Sequence, residues 1–231
     1  MSLPVDRPLV RTRLAGVCLV VGAVLLAATG ALDPSMPGDS SGDLLTYAVA
    51  EQGRWTAWSL TLAAAGLVLL PAVSALGRAV RGRGSALSVT GACLAGAGMV
   101  GMVLVGTSEA DVPVLAGSQL PVPAEVVSVA ERMAGGPGLG IAFLLMLPGY
   151  YLGVPVLLWG LRRARLLATW VPLVGTAGVI GSWFATEAGD VWELLFRCVV
   201  ALALTATSPV LLRGAAPQPA PRSVLARNVT A

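Results

Sequence analysis

Six apolar runs, near residues 14–32, 55–77, 86–106, 138–160, 167–186 and 192–212, limit what this chain can become. Each is long enough to cross about 30 Å of hydrocarbon at about 1.5 Å per residue, the rise of an α-helix. No barrel-type alternation is present, and an open sheet edge in lipid would leave backbone groups without partners, so the runs are expected to be helices. Charged residues make up 12% of the 231 residues and mean hydropathy is +0.81. A water-facing surface needs about twice that charge. The expected fold is all-α: a polytopic transmembrane bundle of six spans.

The loops give its orientation. All 15 basic residues are arginine, and histidine is absent. Arg7, Arg11 and Arg13 precede the first run, and Arg78, Arg81 and Arg83 separate the second from the third. Arg162, Arg163 and Arg165 separate the fourth from the fifth, and Arg213, Arg222 and Arg227 follow the sixth. Only Arg54 and Arg132 fall on the opposite side. The positive-inside rule makes the arginine-rich side cytoplasmic, with residues 1–13 and 213–231 both inside. This reading places the chain in the inner (plasma) membrane of a bacterium, whose GC-rich codon usage the arginine, alanine and glycine content resembles. All six tryptophans (Trp55, Trp58, Trp159, Trp170, Trp183 and Trp192) fall near run ends, where an amphipathic indole is comfortable. The first run, with arginines before it and Ala28-Thr29-Gly30 near its end, also fits a cleaved signal peptide. Its length of about nineteen residues favours a retained span.

The outer loops carry helix signals. From Ser40 to Glu51, Leu44, Tyr47 and Ala48 share a face, and Pro123 starts a segment with Val126, Val129, Ala130 and Met133 on one face, ended by Gly135-Gly136. Such short amphipathic helices either lie in the outer headgroup layer or pack over the bundle. The tail after Arg213, rich in proline and alanine, reads as disordered. Its Asn228-Val229-Thr230 matches a glycosylation pattern that a bacterial cytoplasmic tail would not use.

Within the spans, Ala92/Gly96, Ala97/Gly101 and Gly149/Gly153 are small-xxx-small pairs, and Gly175, Gly178 and Gly181 notch the fifth span. In lipid such notches let backbones approach closely, within the bundle or across a homodimer seam. The segment Pro148-Gly149-Tyr150-Tyr151-Leu152-Gly153-Val154-Pro155 weakens the fourth helix at two prolines. Transporters use such breaks beside a binding site. Arg197 is the one charge well inside a run, about a turn from the outer interface, with Glu193 four residues earlier in the favourable order for an ion pair. Asp190, Glu193, Arg197, Thr205 and Ser208 fall along one stripe. The candidate functional residues are Arg197, Glu193, Asp190, Tyr150 and Tyr151, with Pro148, Gly149, Gly153 and Pro155 as a candidate hinge.

Enzyme chemistry is poorly supplied. Without histidine there is no Ser-His-Asp triad, HExxH zinc site or imidazole haem ligand. Cys18, Cys93 and Cys198 lie in apolar runs without CxxC spacing and read as small packing residues that form no disulfide. No catalytic residue, cofactor or metal ligand is assigned, and the short basic loops form no nucleic-acid patch. The expected partners are the lipid bilayer and either a second copy or another membrane subunit.

Pro37-Gly38-Asp39 before a short helix, then Gly140, Phe143 and Gly153, then Pro172-Leu173-Val174-Gly175 after a basic turn, resemble a bacterial six-span family, domain of unknown function 4386. The likeness runs over most of residues 10–212 and implies the same six-span fold, with no activity to carry over. The polar positions associated with that family's long outer loop are not evident in this chain. Three classes of function stay open. They are a non-enzymatic module or accessory of a transport or export system, a small-solute or lipid transporter near the fourth span and Arg197, and an enzyme using outer-rim carboxylates.

Overall fold

The structure is a computed structural model that describes residues 7–34, 40–117, 120–188 and 190–213, with the side chains of 7–11 and 186–190 left aside. The expected disordered tail lies outside these residues, apart from Arg213. Helices account for nearly all of them, and no strand occurs among the described residues.

In chain order the helices are α1 (Arg7–Leu32), α2 (Ser41–Ala50), α3 (Gln52–Ala79), α4 (Ser85–Ala110), α5 (Val112–Ala116), α6 (Ala124–Ala134) and α7 (Pro137–Pro148). A π-helical turn, Gly149–Gly153, joins α7 directly to α8 (Val154–Arg163), and α9 (Trp170–Ala188) and α10 (Asp190–Leu212) complete the chain. Five segments are long and apolar enough to cross a membrane: Thr12–Leu32, Gln52–Ala79, Ser85–Ala116, Pro137–Arg163 and Val191–Leu212. Trp170–Ala185 is a shorter apolar helix. α9 begins three residues later than its apolar run because the chain turns after α8, with Arg165 at φ 62°.

These rods form a ring in chain order. α1 packs between α3 and α10, α3 on α4, α4 on the α7–π turn–α8 rod, α8 on α9, and α9 on α10. Inside lie Leu19, Leu69, Leu76, Met99, Leu158 and Leu211, all nearly inaccessible. Outside, every rod presents large apolar side chains, among them Val24, Leu67, Leu104, Leu144, Phe184 and Leu202. A soluble monomer rarely exposes an apolar patch of more than a few hundred Å². A continuous belt on all six rods suits hydrocarbon instead.

In lipid there is little hydrophobic drive between helices, so cohesion comes from close packing. The α4 seam shows how. A Cβ on Gly98 would lie 2.6 Å from the Gly149 carbonyl carbon, and one on Gly153 would lie 2.3 Å from the Ala95 backbone nitrogen. Gly175 meets Leu158 and Ala203, Gly178 meets Val199 and Val200, and Gly181 meets Phe196. These notches are filled from within the bundle.

The C-terminal ends of α1 and α4 are tied to the start of α3. Arg54 donates to the carbonyls of Leu32 (3.2 Å) and Asp33 (2.6 Å), and Trp55 Nε1 donates to the Glu109 carbonyl at 2.8 Å. These bonds satisfy carbonyls that a helix end leaves without partners. Trp55 is buried under this cap, while Trp159, Trp170, Trp183 and Trp192 are exposed. α2 packs against α3, α5 and α6, with Leu45 and Ala48 as its buried residues, so its inner face is turned slightly from the expected one through Leu44, Tyr47 and Ala48. Cys93 and Cys198 are exposed on the outside of their helices and Cys18 is half-buried, all as free thiols. Two of the three are thus surface residues and not interior packing residues.

Candidate functional site

Gly30 begins the construction of the site. A side chain there would press on the Leu194 Cα and the Arg197 Cδ, each at 3.0 Å, so its absence lets α10 close on the outer end of α1. That approach brings Arg197 beside Thr29 and Asp33, residues more than 160 positions away in the chain. The guanidinium donates to the Thr29 hydroxyl, to Glu193 one turn earlier on its own helix, and to Asp33 Oδ2 at 2.9 Å. Thr29 in turn donates to the Leu26 carbonyl at 2.7 Å. At the bilayer centre an arginine costs about 2.5–3.5 kcal/mol on insertion scales, and less toward an interface. Two carboxylates and a hydroxyl around it offset that cost.

Tyr150 and Tyr151 sit on the π turn, within electrostatic reach of Arg197 and Glu193. The Tyr150 side chain is buried and its hydroxyl has no hydrogen-bond partner. Ser182, whose hydroxyl donates to the Val179 carbonyl at 2.8 Å, is the neighbouring polar residue on α9. Tyr151 stands edge-on to both Tyr150 (5.2 Å between centroids) and Trp183 (5.0 Å). The fourth rod, the α10 polar stripe and the end of α1 therefore converge in the half of the ring where α10 begins.

Of the residues singled out in the sequence, Arg197 and Glu193 are paired, and Tyr150 and Tyr151 lie beside them. Asp190 opens α10, with its side chain outside the described residues. Ser208 is buried and Thr205 half-buried on the same helix, deeper in the bundle. Pro148, Gly149, Gly153 and Pro155 bracket a π turn that keeps the rod continuous, with Gly149 and Gly153 pressed against α4. Thr29, Asp33 and Ser182 were not singled out. A lone hydroxyl in an apolar run and a carboxylate just past its end, at the depth of Arg197, were the signals available.

Among the described residues no three His, Cys, Asp or Glu side chains come together as a metal site. Chemically the cluster is a set of donors and acceptors that fastens α1 to α10. No family model matches this chain, and neither does any curated protein or solved structure.

Proposed function

We propose that this chain is a six-span inner-membrane module with both termini in the cytoplasm, a non-enzymatic accessory of a transport or export system. The ring of six apolar rods supports six crossings, and α9 at 19 residues spans about 28 Å at helical rise. The arginine loops at the ends of α3, α8 and α10 support the orientation. The resemblance to domain of unknown function 4386 favours the same architecture.

The observation that carries the non-enzymatic reading is the engagement of Arg197 by three protein groups. Its partners are protein groups on α1 and α10, and the same bonds engage Asp33 and Glu193, the carboxylates an outer-rim enzyme would need. A guanidinium bound this way fastens α1 to α10. Purification of the full chain from its native membrane in mild detergent tests the reading. A second integral-membrane subunit in fixed stoichiometry is expected. Solute flux by the chain alone in proteoliposomes would instead establish the transporter reading, which the π turn beside Tyr150 favours.

A further inference from the structure

The turn between α3 and α4 lies directly on the last turn of α8. A Cβ on Gly84 would fall 2.8 Å from the Gly160 carbonyl oxygen, 3.1 Å from the Ala164 nitrogen and 3.3 Å from the Arg163 Cβ. The turn fits there because Gly82 and Gly84 take left-handed backbone, at φ 78° and 91°, without a side chain to obstruct it. Arg81-Gly82-Arg83 and Arg163-Ala164-Arg165, far apart in sequence, are thereby stacked at the end of the bundle opposite Arg197.

The stack is uniformly positive. Arg81, Arg83, Arg163 and Arg165 are exposed, and among the described residues the ion pairs are those of Arg197 at the other end. From Gln52 to Ser108 and from Arg132 to Thr186 the chain has no Asp or Glu, so neither loop brings a carboxylate with it. α4 also begins here without a side-chain cap, and its first amides add to the positive field. The positive-inside rule asks for arginines in the loops, but not that two such loops stack. Like charges set side by side repel, and an anion seated between them removes that cost.

We propose that this stack binds the phosphate of an anionic phospholipid as a specific ligand. The arginine fork matches phosphate oxygens in geometry as well as charge. The surroundings favour a lipid over a water-soluble anion. Leu87 on α4, Leu166 just past α8, and Trp159 and Trp170 on either side of the second loop are all exposed, and they join the arginines to the apolar belt. A phosphodiester held by the loops can lay its acyl chains along that belt, whereas a soluble anion gains nothing from it. The leaflet that supplies the lipid rests on the orientation proposed above; binding itself does not.

Titration of phosphatidylglycerol, or of phosphatidylcholine with the same acyl chains, into the delipidated full chain in detergent tests this by native mass spectrometry. Phosphatidylglycerol is expected to bind in preference, and less tightly as salt rises. Arg83→Gln combined with Arg163→Gln should weaken it about thirtyfold, the equivalent of about 2 kcal/mol. Phosphatidylcholine binding and the thermal unfolding of the lipid-free chain should not change. Arg132→Gln, at an exposed arginine on α6, should bind as the wild type does. Equal affinity for the two lipids, or equal affinity in wild type and double variant, would overturn the site. Inorganic phosphate binding as tightly as phosphatidylglycerol would make the free anion the ligand and overturn the lipid. So would an acidic soluble protein whose binding, and not the lipid's, is lost in the double variant. In membrane vesicles of known sidedness, a phosphatidylglycerol with a headgroup diazirine should label residues 81–87 or 163–166 from the cytoplasmic leaflet. Labelling of these residues only from the opposite leaflet would uphold the site and overturn the orientation.

Discussion

Arg197 donates to Asp33 Oδ2 at 2.9 Å, which joins the last helix to the residue just past the end of the first. The contact closes the ring, because α1 and α10 are its two ends in sequence and neighbours in space. It is local electrostatics serving global topology: the same guanidinium holds Glu193 within its own helix and Thr29 on the facing one.

Arg197→Leu should destabilise the bundle by about 3 kcal/mol, because it leaves two carboxylates without their shared partner. Adding Glu193→Gln and Asp33→Asn to Arg197→Leu should recover much of that loss, since no charge then needs pairing. Thermal unfolding in detergent measures both. Additive losses would show that the three residues are not coupled.

Gly98→Val should cost at least about 2 kcal/mol, because overpacking a tight seam forces the backbones apart. The added carbon would fall 2.6 Å from backbone that cannot rotate away. Gly140→Ala is the control: nothing lies within 4 Å, and alanine is the better helix former by about 1 kcal/mol. Opposite signs for the two variants in the same unfolding assay are expected.

Tyr150→Phe should leave stability unchanged or raise it by about 1 kcal/mol, because it deletes a buried hydroxyl with no hydrogen-bond partner. A loss of about 1 kcal/mol or more in the same assay would mean that the hydroxyl is satisfied in solution, for instance by a bound water.

Much of the architecture was legible in the chain because lipid imposes a simple rule. A run of some twenty apolar residues has few alternatives to a helix, and the runs at 55–77 and 86–106 reappear inside Gln52–Ala79 and Ser85–Ala110. The Glu193–Arg197 pair was legible because i,i+4 spacing is local. Asp33 and Thr29 were not, since their approach depends on Gly30 and on which helices become neighbours, and no local pattern encodes either. The Pro148–Pro155 segment announced a disturbed helix. Whether it would break or take a π turn depended on α4, whose Gly98 backbone lies against Gly149 and whose Ala95 backbone lies against Gly153.

The orientation and the number of crossings are tested most directly by single cysteines in a chain whose Cys18, Cys93 and Cys198 are replaced by alanine. Cysteines at Ser40 and Ser118 stand for the outer side, and one at Ser223 for the cytoplasmic side. In intact cells an impermeant maleimide should label the first two and spare the third, which should react only after the membrane is opened. Labelling at Ser223 in intact cells, or protection of Ser40 or Ser118, would contradict six crossings with both termini inside.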